Sequence, residues 1–430
     1  MRLPRAFYDC TSLEAGEGLG KGRVKMAEPG ILFKNGRVLD GLDRVLDPGW
    51  VLVRGGRIQA VGEGLFREGE GPAGDEAVRM VDLSGRTVLP GLIDAHVHLA
   101  LDGSPDPMSS LVKASLPAVT LKMARQARST LEAGITTVRD LGCRDFIDLA
   151  LREAIEAGLT KGPEMLCAGQ MICITGGQGW MIGYEADGPD QVRQAVRFQA
   201  KSGVDLVKLM ATGGVLTKGS RPGAPQMTGA EMAAGVEEAH RAGLKTAAHC
   251  QGLEGAKSAV RAGIDSLEHG VGLDREVIEE MVERGVFVVP TLSAPFNILE
   301  AGRESGIPQE FIDKTERLAE VHVDGLRRAK EAGVRMAMGT DAGTPFNPHG
   351  SNAKELVHLG KIGLSPLEAI RSATSGAAEL LGIEDRVGSI APGKQADLLI
   401  VEGDPLQDLA VLADPARIKA VYKAGLKVKT

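Results

Sequence analysis

This 430-residue chain has no apolar run long enough to cross a membrane; nowhere do about 18 apolar residues follow one another without interruption. Nor do residues 1–25 hold the apolar segment a secretory signal needs. They also lack the periodicity of the residues after them, and read as a poorly ordered N-terminal extension with Met26 as a candidate start. There is no excess of positive charge. Acidic residues number 57 against 50 basic ones, a net charge of −7, which offers no field for nucleic acid or an anionic membrane and points to small-molecule chemistry. Cysteine is scarce: Cys10, Cys143, Cys167, Cys173 and Cys250 are odd in number, scattered and without a Cys-x-x-Cys pair. They read as reduced, buried residues of a cytoplasmic protein. No glycine-rich phosphate turn follows any early strand, which argues against a doubly wound open sheet.

What is present is a regular alternation. With 43% hydrophobic and 25% charged residues the chain can bury a large core. Strand-like runs lie at 87–99, 135–141, 164–170, 204–210, 245–249, 264–269, 286–291 and 335–341. Helical patterns separate or follow them at 115–133, 146–157, 189–202, 229–242, 255–262, 274–284, 308–332 and 351–360. Several end at an Ala-Gly step, as at Ala262-Gly263, which suits a left-handed C-cap. Eight such units predict an α/β fold, a (β/α)8 TIM-type barrel spanning 87–382, with its active site at the C-terminal ends of the strands. Short β-branched runs around Asn-Gly and Gly-Gly fill 26–86, and similar runs fill 383–430. Neither set is large enough to fold alone, so both ends of the chain are expected to build one small β-sandwich domain.

The chemistry gathers where barrel strands end. His96 and His98 close the first strand two residues apart, a spacing that sends both imidazoles to one face. Lys208 shares the inward phase of Leu206 and Met210 on the fourth strand, where an ammonium is costly without a role. His249 ends the fifth strand, His269 the sixth and Asp341 the eighth. Placed together, these residue types form a set of metal ligands.

At this point the chain resembles the amidohydrolase superfamily. The resemblance rests on Pro-Gly-Leu-Ile-Asp-Ala-His-Val-His at 90–98, Val-Lys on strand four, His on strands five and six, Thr-Asp on strand eight, and the closing Gly-Ser-Ile-Ala-Pro-Gly-Lys-Gln-Ala-Asp-Leu at 388–398. It implies the binuclear subtype, in which His96, His98 and Asp341 hold one divalent ion and His249 and His269 the other. A carbamate formed from carbon dioxide on Lys208 would span the two. It further implies that a metal-bridging hydroxide attacks an amide carbonyl while Asp341 takes its proton and returns it to the leaving nitrogen. Zn²⁺ suits the ligand set, and Mn²⁺, Co²⁺ and Fe²⁺ remain open.

Further stretches are similar to imidazolonepropionase-like proteins and to dipeptidases acting on Xaa-Pro or Xaa-Arg/Lys: Ile-Thr-Thr-Val-Arg-Asp-Leu at 135–141, Ile-Thr-Gly-Gly-Gln-Gly at 174–179 and Ala-His-Cys-Gln-Gly at 248–252. Gln178 and Gln251 depart from that pattern, which often has His, and Tyr or His, at these positions. Both are candidate substrate contacts. Candidate partners for a substrate carboxylate are Lys218 and Arg221 in the loop after strand four and Arg139 on strand two, with a structural ion pair to Asp140 or Asp145 as the other reading of Arg139. His349, after strand eight, is a further candidate for the pocket wall, while His240, His322 and His358 lie on helical stretches and read as structural. The expected substrate is a dipeptide or N-acyl amino acid. A cyclic amide, carbamate, urea or aryl amide is the alternative, and a non-catalytic scaffold the remote one. Self-association is expected of a barrel this size with an appended domain.

Overall fold

The computed structural model describes residues 30–66 and 78–429; the proposed N-terminal extension, Met26 and Cys10 lie outside the described residues. The molecule is a (β/α)8 barrel with a small β-sandwich made from both ends of the chain. In the small domain Gly30–Leu39, Val45–Arg54 and Arg57–Glu63 form an antiparallel meander. Leu398–Glu402, Ile418–Lys423 and Leu426–Lys429 return from the far end of the chain and join it through Arg86–Pro90. The two ends share one interior, in which Phe33, Val51, Val88, Leu398, Ile400 and Tyr422 pack together.

The apolar stretch at 87–99 is therefore two strands. Arg86–Pro90 belongs to the small-domain sheet, and after Gly91 the strand Leu92–Val97 opens the barrel. Both halves are apolar because both are buried, so hydrophobicity does not mark the break.

Six further barrel strands come next in the chain: Ile135–Asp140, Glu164–Cys167, Leu206–Met210, Lys245–Cys250, Ser266–His269 and Phe287–Val289. They run parallel in two ladders joined through Asp205, whose N–H donates to the Cys167 carbonyl (2.9 Å) while its carboxylate accepts from the Cys167 N–H (2.8 Å). The eighth position, expected at 335–341, forms no continuous ladder. Isolated bridges Val288–Met336 and Val97–Ala342 close the barrel there, with the Ala95 N–H donating to the Met338 carbonyl (2.8 Å) and the Asp341 N–H to that of His96 (2.8 Å).

The helices arise from amphipathic spacing and their caps. Thr228 and Glu231 form a reciprocal capping box at the start of Gly229–Arg241. Gln309–Glu331 turns Phe311, Thr315, His322, Leu326 and Ala329 inward at intervals of three, four and seven. The helical pattern at 115–133 corresponds to Leu116–Glu132, preceded by a separate helix, Pro107–Lys113, whose Asp106 caps the Ser109 N–H. An additional helix, Ser293–Ala301, lies after the seventh strand. Among the described residues no helix is long and apolar enough to cross a membrane.

Candidate metal centre

The ends of strands one, four, five, six and eight meet at the barrel mouth. His96, His98 and Asp341 present nitrogen and carboxylate atoms that all lie within 4.8 Å of one another. Asp341 Oδ1 is 3.4 Å from Nε2 of each ring. Across the mouth His269 Nε2 and His249 Nδ1 converge to 2.9 Å, and Lys208, only 2% exposed, lines the same cleft.

Backbone strain helps to aim these side chains. Strand alternation sends consecutive residues to opposite faces, yet Glu268 and His269 both serve the centre. His269 adopts φ 70° and Asp341 φ 57°, left-handed values that bulky residues seldom hold. At the base of the site Asp94 ties the first strand to the eighth. Its Oδ1 accepts from the His96 and Thr340 N–H groups, and its Oδ2 from Thr340 Oγ1 (2.6 Å) and Asn352 Nδ2 (2.7 Å).

The outer ring nitrogens determine the tautomers. His96 Nδ1 is 2.8 Å from Glu268 Oε2, and His98 Nδ1 is 3.1 Å from the Gly142 carbonyl. A carboxylate and a carbonyl can only accept, so each Nδ1 carries the proton and each Nε2 keeps its lone pair. His269 Nδ1 is 2.7 Å from Thr291 Oγ1, whose own hydroxyl donates to the Pro290 carbonyl, so that ring too is held with Nε2 as the acceptor. Divalent ions fit this donor set. Three lone pairs aimed at one mouth beside a carboxylate are a coordination environment, and Lys208 Nζ is buried with no protein partner.

The electrostatics agree. Burial pushes His98 down to about 4 and His249 down to about 3, the latter helped by Lys208, so both rings are neutral at pH 7. Burial lowers Lys208 to about 8 against the opposing charge of Glu268, which raises its share of free amine. Burial would raise Asp341, but His96, His98 and Lys208 outweigh it and hold the carboxyl at about 2.

The centre lies in a cleft walled by apolar side chains, including Met108, Met171, Ile182, Met210, Val271 and Ile298. Gln178 and Gln251 line it. Gln178 Oε1 accepts from the Gly214 N–H (3.1 Å), which leaves its amide nitrogen for a ligand. Gly214 has to be glycine: a Cβ there would come within 2.7 Å of His249 Nε2 and 2.8 Å of the Gln178 amide carbon. Gln251 is held through its backbone N–H to Thr212 Oγ1 (2.9 Å), and its side-chain oxygen has no protein partner.

The other four sequence candidates are not on this cleft. Arg139 is sealed in the barrel interior with its donors on the Ala95 carbonyl, Ser266 Oγ and Glu268 Oε1, so its ion pair is with Glu268 rather than Asp140 or Asp145. His349 Nε2 faces the carbonyls of His98 (3.2 Å) and Leu101 (3.1 Å) and braces the loop behind the first strand. Lys218 is 68% exposed, 3.9 Å from Asp106. Arg221 is exposed on the rim of a separate outer cavity that shares Gln251 with the cleft. Lys208 is the one Lys or Arg among the described residues that line the cleft.

Sequence reasoning missed three contributors. Glu268 and Thr291 orient ligand rings. His322, read as structural, lines the cleft and donates from Nε2 to the His269 carbonyl (2.8 Å). Only Glu268 left a trace in the sequence, standing next to His269; the partners of the others come from distant strands and helices.

Comparison with known proteins agrees with the geometry. Residues 87–428 match the amidohydrolase family. The crystal structure of an Xaa-Pro dipeptidase with methionine bound in its active site aligns with a TM-score of 0.83 at 34% identity, covering 93% of this chain and 99% of that one. A prolidase complexed with N-methylphosphonate-L-proline gives 0.83 at 30% identity over 93% and 99%. Ochratoxinase of Aspergillus niger is 33% identical over 370 residues, 79% of this chain and 75% of its own length. Its crystal structure aligns with a TM-score of 0.81 at 28% identity, covering 93% and 95%.

Proposed function

This chain belongs to the amidohydrolase family and is a metal-dependent hydrolase of carbon–nitrogen bonds, and from that premise we propose that it cleaves the amide of an N-acyl amino acid or dipeptide carrying apolar groups. The observation that carries the reading is the buried, partnerless Lys208 Nζ in the same apolar cleft as His96, His98, His249, His269 and Asp341. The dipeptidase with bound methionine and the prolidase with a proline phosphonate support an amino-acid-like ligand.

In this reading His96, His98 and Asp341 would hold one divalent ion, Zn²⁺, and His249 and His269 a second. Lys208 would join them as a carbamate, its free amine forming a bond to the carbon of carbon dioxide and releasing a proton. When bound, the ions supply Lewis acidity and a water that ionises near neutral pH. The chain does the rest. Asp341 Oδ1 faces the two imidazoles, and the carboxylate would take the proton of the attacking water. As the C–N bond breaks, the same carboxylate would return that proton to the leaving nitrogen. At about 2 the carboxyl is ionised at pH 7 and ready to accept. The apolar walls exclude water and take up side chains, and Gln178 and Gln251 offer amide hydrogen bonds to the ends of the substrate.

A second reading, hydrolysis of uncharged cyclic or aryl amides, has its own support: Lys208 is the one Lys or Arg among the described lining residues, and it is committed to the centre. Parallel assays of N-acyl amino acids, dipeptides, and cyclic and aryl amides with metal-reconstituted protein separate the two. Turnover confined to the uncharged amides would replace the first reading with the second; turnover of none, with or without Zn²⁺ or Mn²⁺, would overturn both.

A further inference from the structure

Beneath the ligands lies a charge pair that substrate chemistry does not use. Glu268 is fully buried, and both its oxygens are engaged. Oε1 accepts from Arg139 Nη2 (2.8 Å) and Ser266 Oγ (2.6 Å), while Oε2 accepts from His96 Nδ1 (2.8 Å). Arg139, 2% exposed, is pinned in turn by the Ala95 carbonyl (2.6 Å) and Ser266 Oγ (3.0 Å). We propose that Glu268, held by Arg139, is a positioning residue that fixes His96 as a ligand and sets how tightly the centre keeps its metal.

The pair is not explained by stability alone. Replacing a buried Arg–Glu pair by apolar residues of similar volume is often neutral or stabilising. What an apolar replacement could not do is accept the His96 proton. Of the three rings whose outer nitrogen has a protein partner, His98 leans on a carbonyl and His269 on a hydroxyl; His96 alone leans on a charged carboxylate. A carboxylate behind an imidazole raises the basicity of the opposite nitrogen and locks the ring plane, and loss of such a partner typically costs about 10- to 100-fold in metal affinity. Arg139 keeps the Glu268 carboxylate charged and directs its second oxygen at the ring. It comes from the second strand, Glu268 from the sixth and His96 from the first, so the unit fixes the ligand across the width of the barrel.

The inference rests on the reading of the mouth as a metal centre, and the experiment keeps the two apart. Zn²⁺ is titrated into chelator-stripped full-length protein against a chromophoric chelator, with wild type, Glu268→Asp, and the double variant Arg139→Met with Glu268→Gln. The double variant leaves no unpaired charge, and Glu268→Asp keeps the charge but withdraws it from the ring. Melting of each metal-free protein is recorded alongside. The expected result is a Kd for the tightest ion raised about 10- to 100-fold in both variants. In addition, ¹⁵N-histidine spectra of the metal-free protein should show His96 as the Nδ1–H tautomer in wild type and a mixture in Glu268→Asp. Values within twofold of wild type, or a lowered melting temperature with unchanged Kd, would reduce the pair to a structural role and overturn the proposal. A wild type that takes up no Zn²⁺ would overturn the metal reading itself, and this inference with it.

Discussion

On the side of the mouth built by strands one, six and eight, each outer ring nitrogen of His96, His98 and His269 already has a protein acceptor, and Asp341 stands within 3.4 Å of two rings. On the side built by strands four and five, Lys208 Nζ and His249 Nε2 have no protein partner. Both sides are equally buried, so the difference is not exposure but completeness. The first half is preorganised by hydrogen bonds that the fold makes for itself. The second half lacks that support, and leaving such atoms unsatisfied in the interior costs on the order of 1–3 kcal/mol each. A centre made this way should fill in order, the ion at His96, His98 and Asp341 first.

The largest effect is expected at the residue given both a ligand role and the proton transfer. Asp341→Ala should lower kcat by about 10²- to 10⁴-fold while the metal-free protein melts close to wild type; steady-state rates and calorimetry report both. Lys208→Ala should remove the group proposed to join the two ions, and the ion at His249 and His269 should be lost first. Bound Zn²⁺ is expected to fall from two ions per chain to one by elemental analysis, and a carbamate carbon signal seen with ¹³C-bicarbonate in wild type should vanish. Retention of two ions would show that the second half does not need the lysine.

Breaking the first half from behind should cost stability as well. Arg139→Met alone leaves Glu268 buried and uncompensated, a loss of about 3–5 kcal/mol in denaturant unfolding, and Glu268→Gln added to it should restore part of that. Acidification tests the histidines together. Burial holds His98 at about 4 and His249 at about 3, against the ordinary 6.5. The unfolded chain therefore binds these protons first, and the metal-free protein should lose stability as pH falls from about 6.5 to about 3. A flat melting temperature across that window would contradict the neutral assignment. The smallest effect is expected outside the cleft: Lys218→Ala and Arg221→Ala should each leave kcat/KM within about twofold, as exposed charges not facing the substrate do.

The barrel and the six candidate ligands were legible in the sequence because period-two apolar runs ended in His, Lys or Asp, types that rarely close a buried strand without a partner. What lay behind the ligands was not. Arg139 reads locally as a free cation on strand two, and only closure of the barrel brings Glu268 from strand six against it. His349 sits in a loop that reads as a pocket wall, yet two backbone carbonyls absorb its Nε2. The break at Gly91 escaped notice because Arg86–Pro90 and Leu92–Val97 are almost wholly buried, one in each domain. The irregular eighth position could not be read either, since its hydrogen bonds depend on strands one and seven.

The most direct test is the initial rate of N-acyl amino acid hydrolysis as Zn²⁺ is returned to chelator-stripped protein. The account predicts negligible rate without metal, a rise as the centre fills, and saturation at two ions per chain. A rate independent of added metal, or none at any stoichiometry, would contradict it.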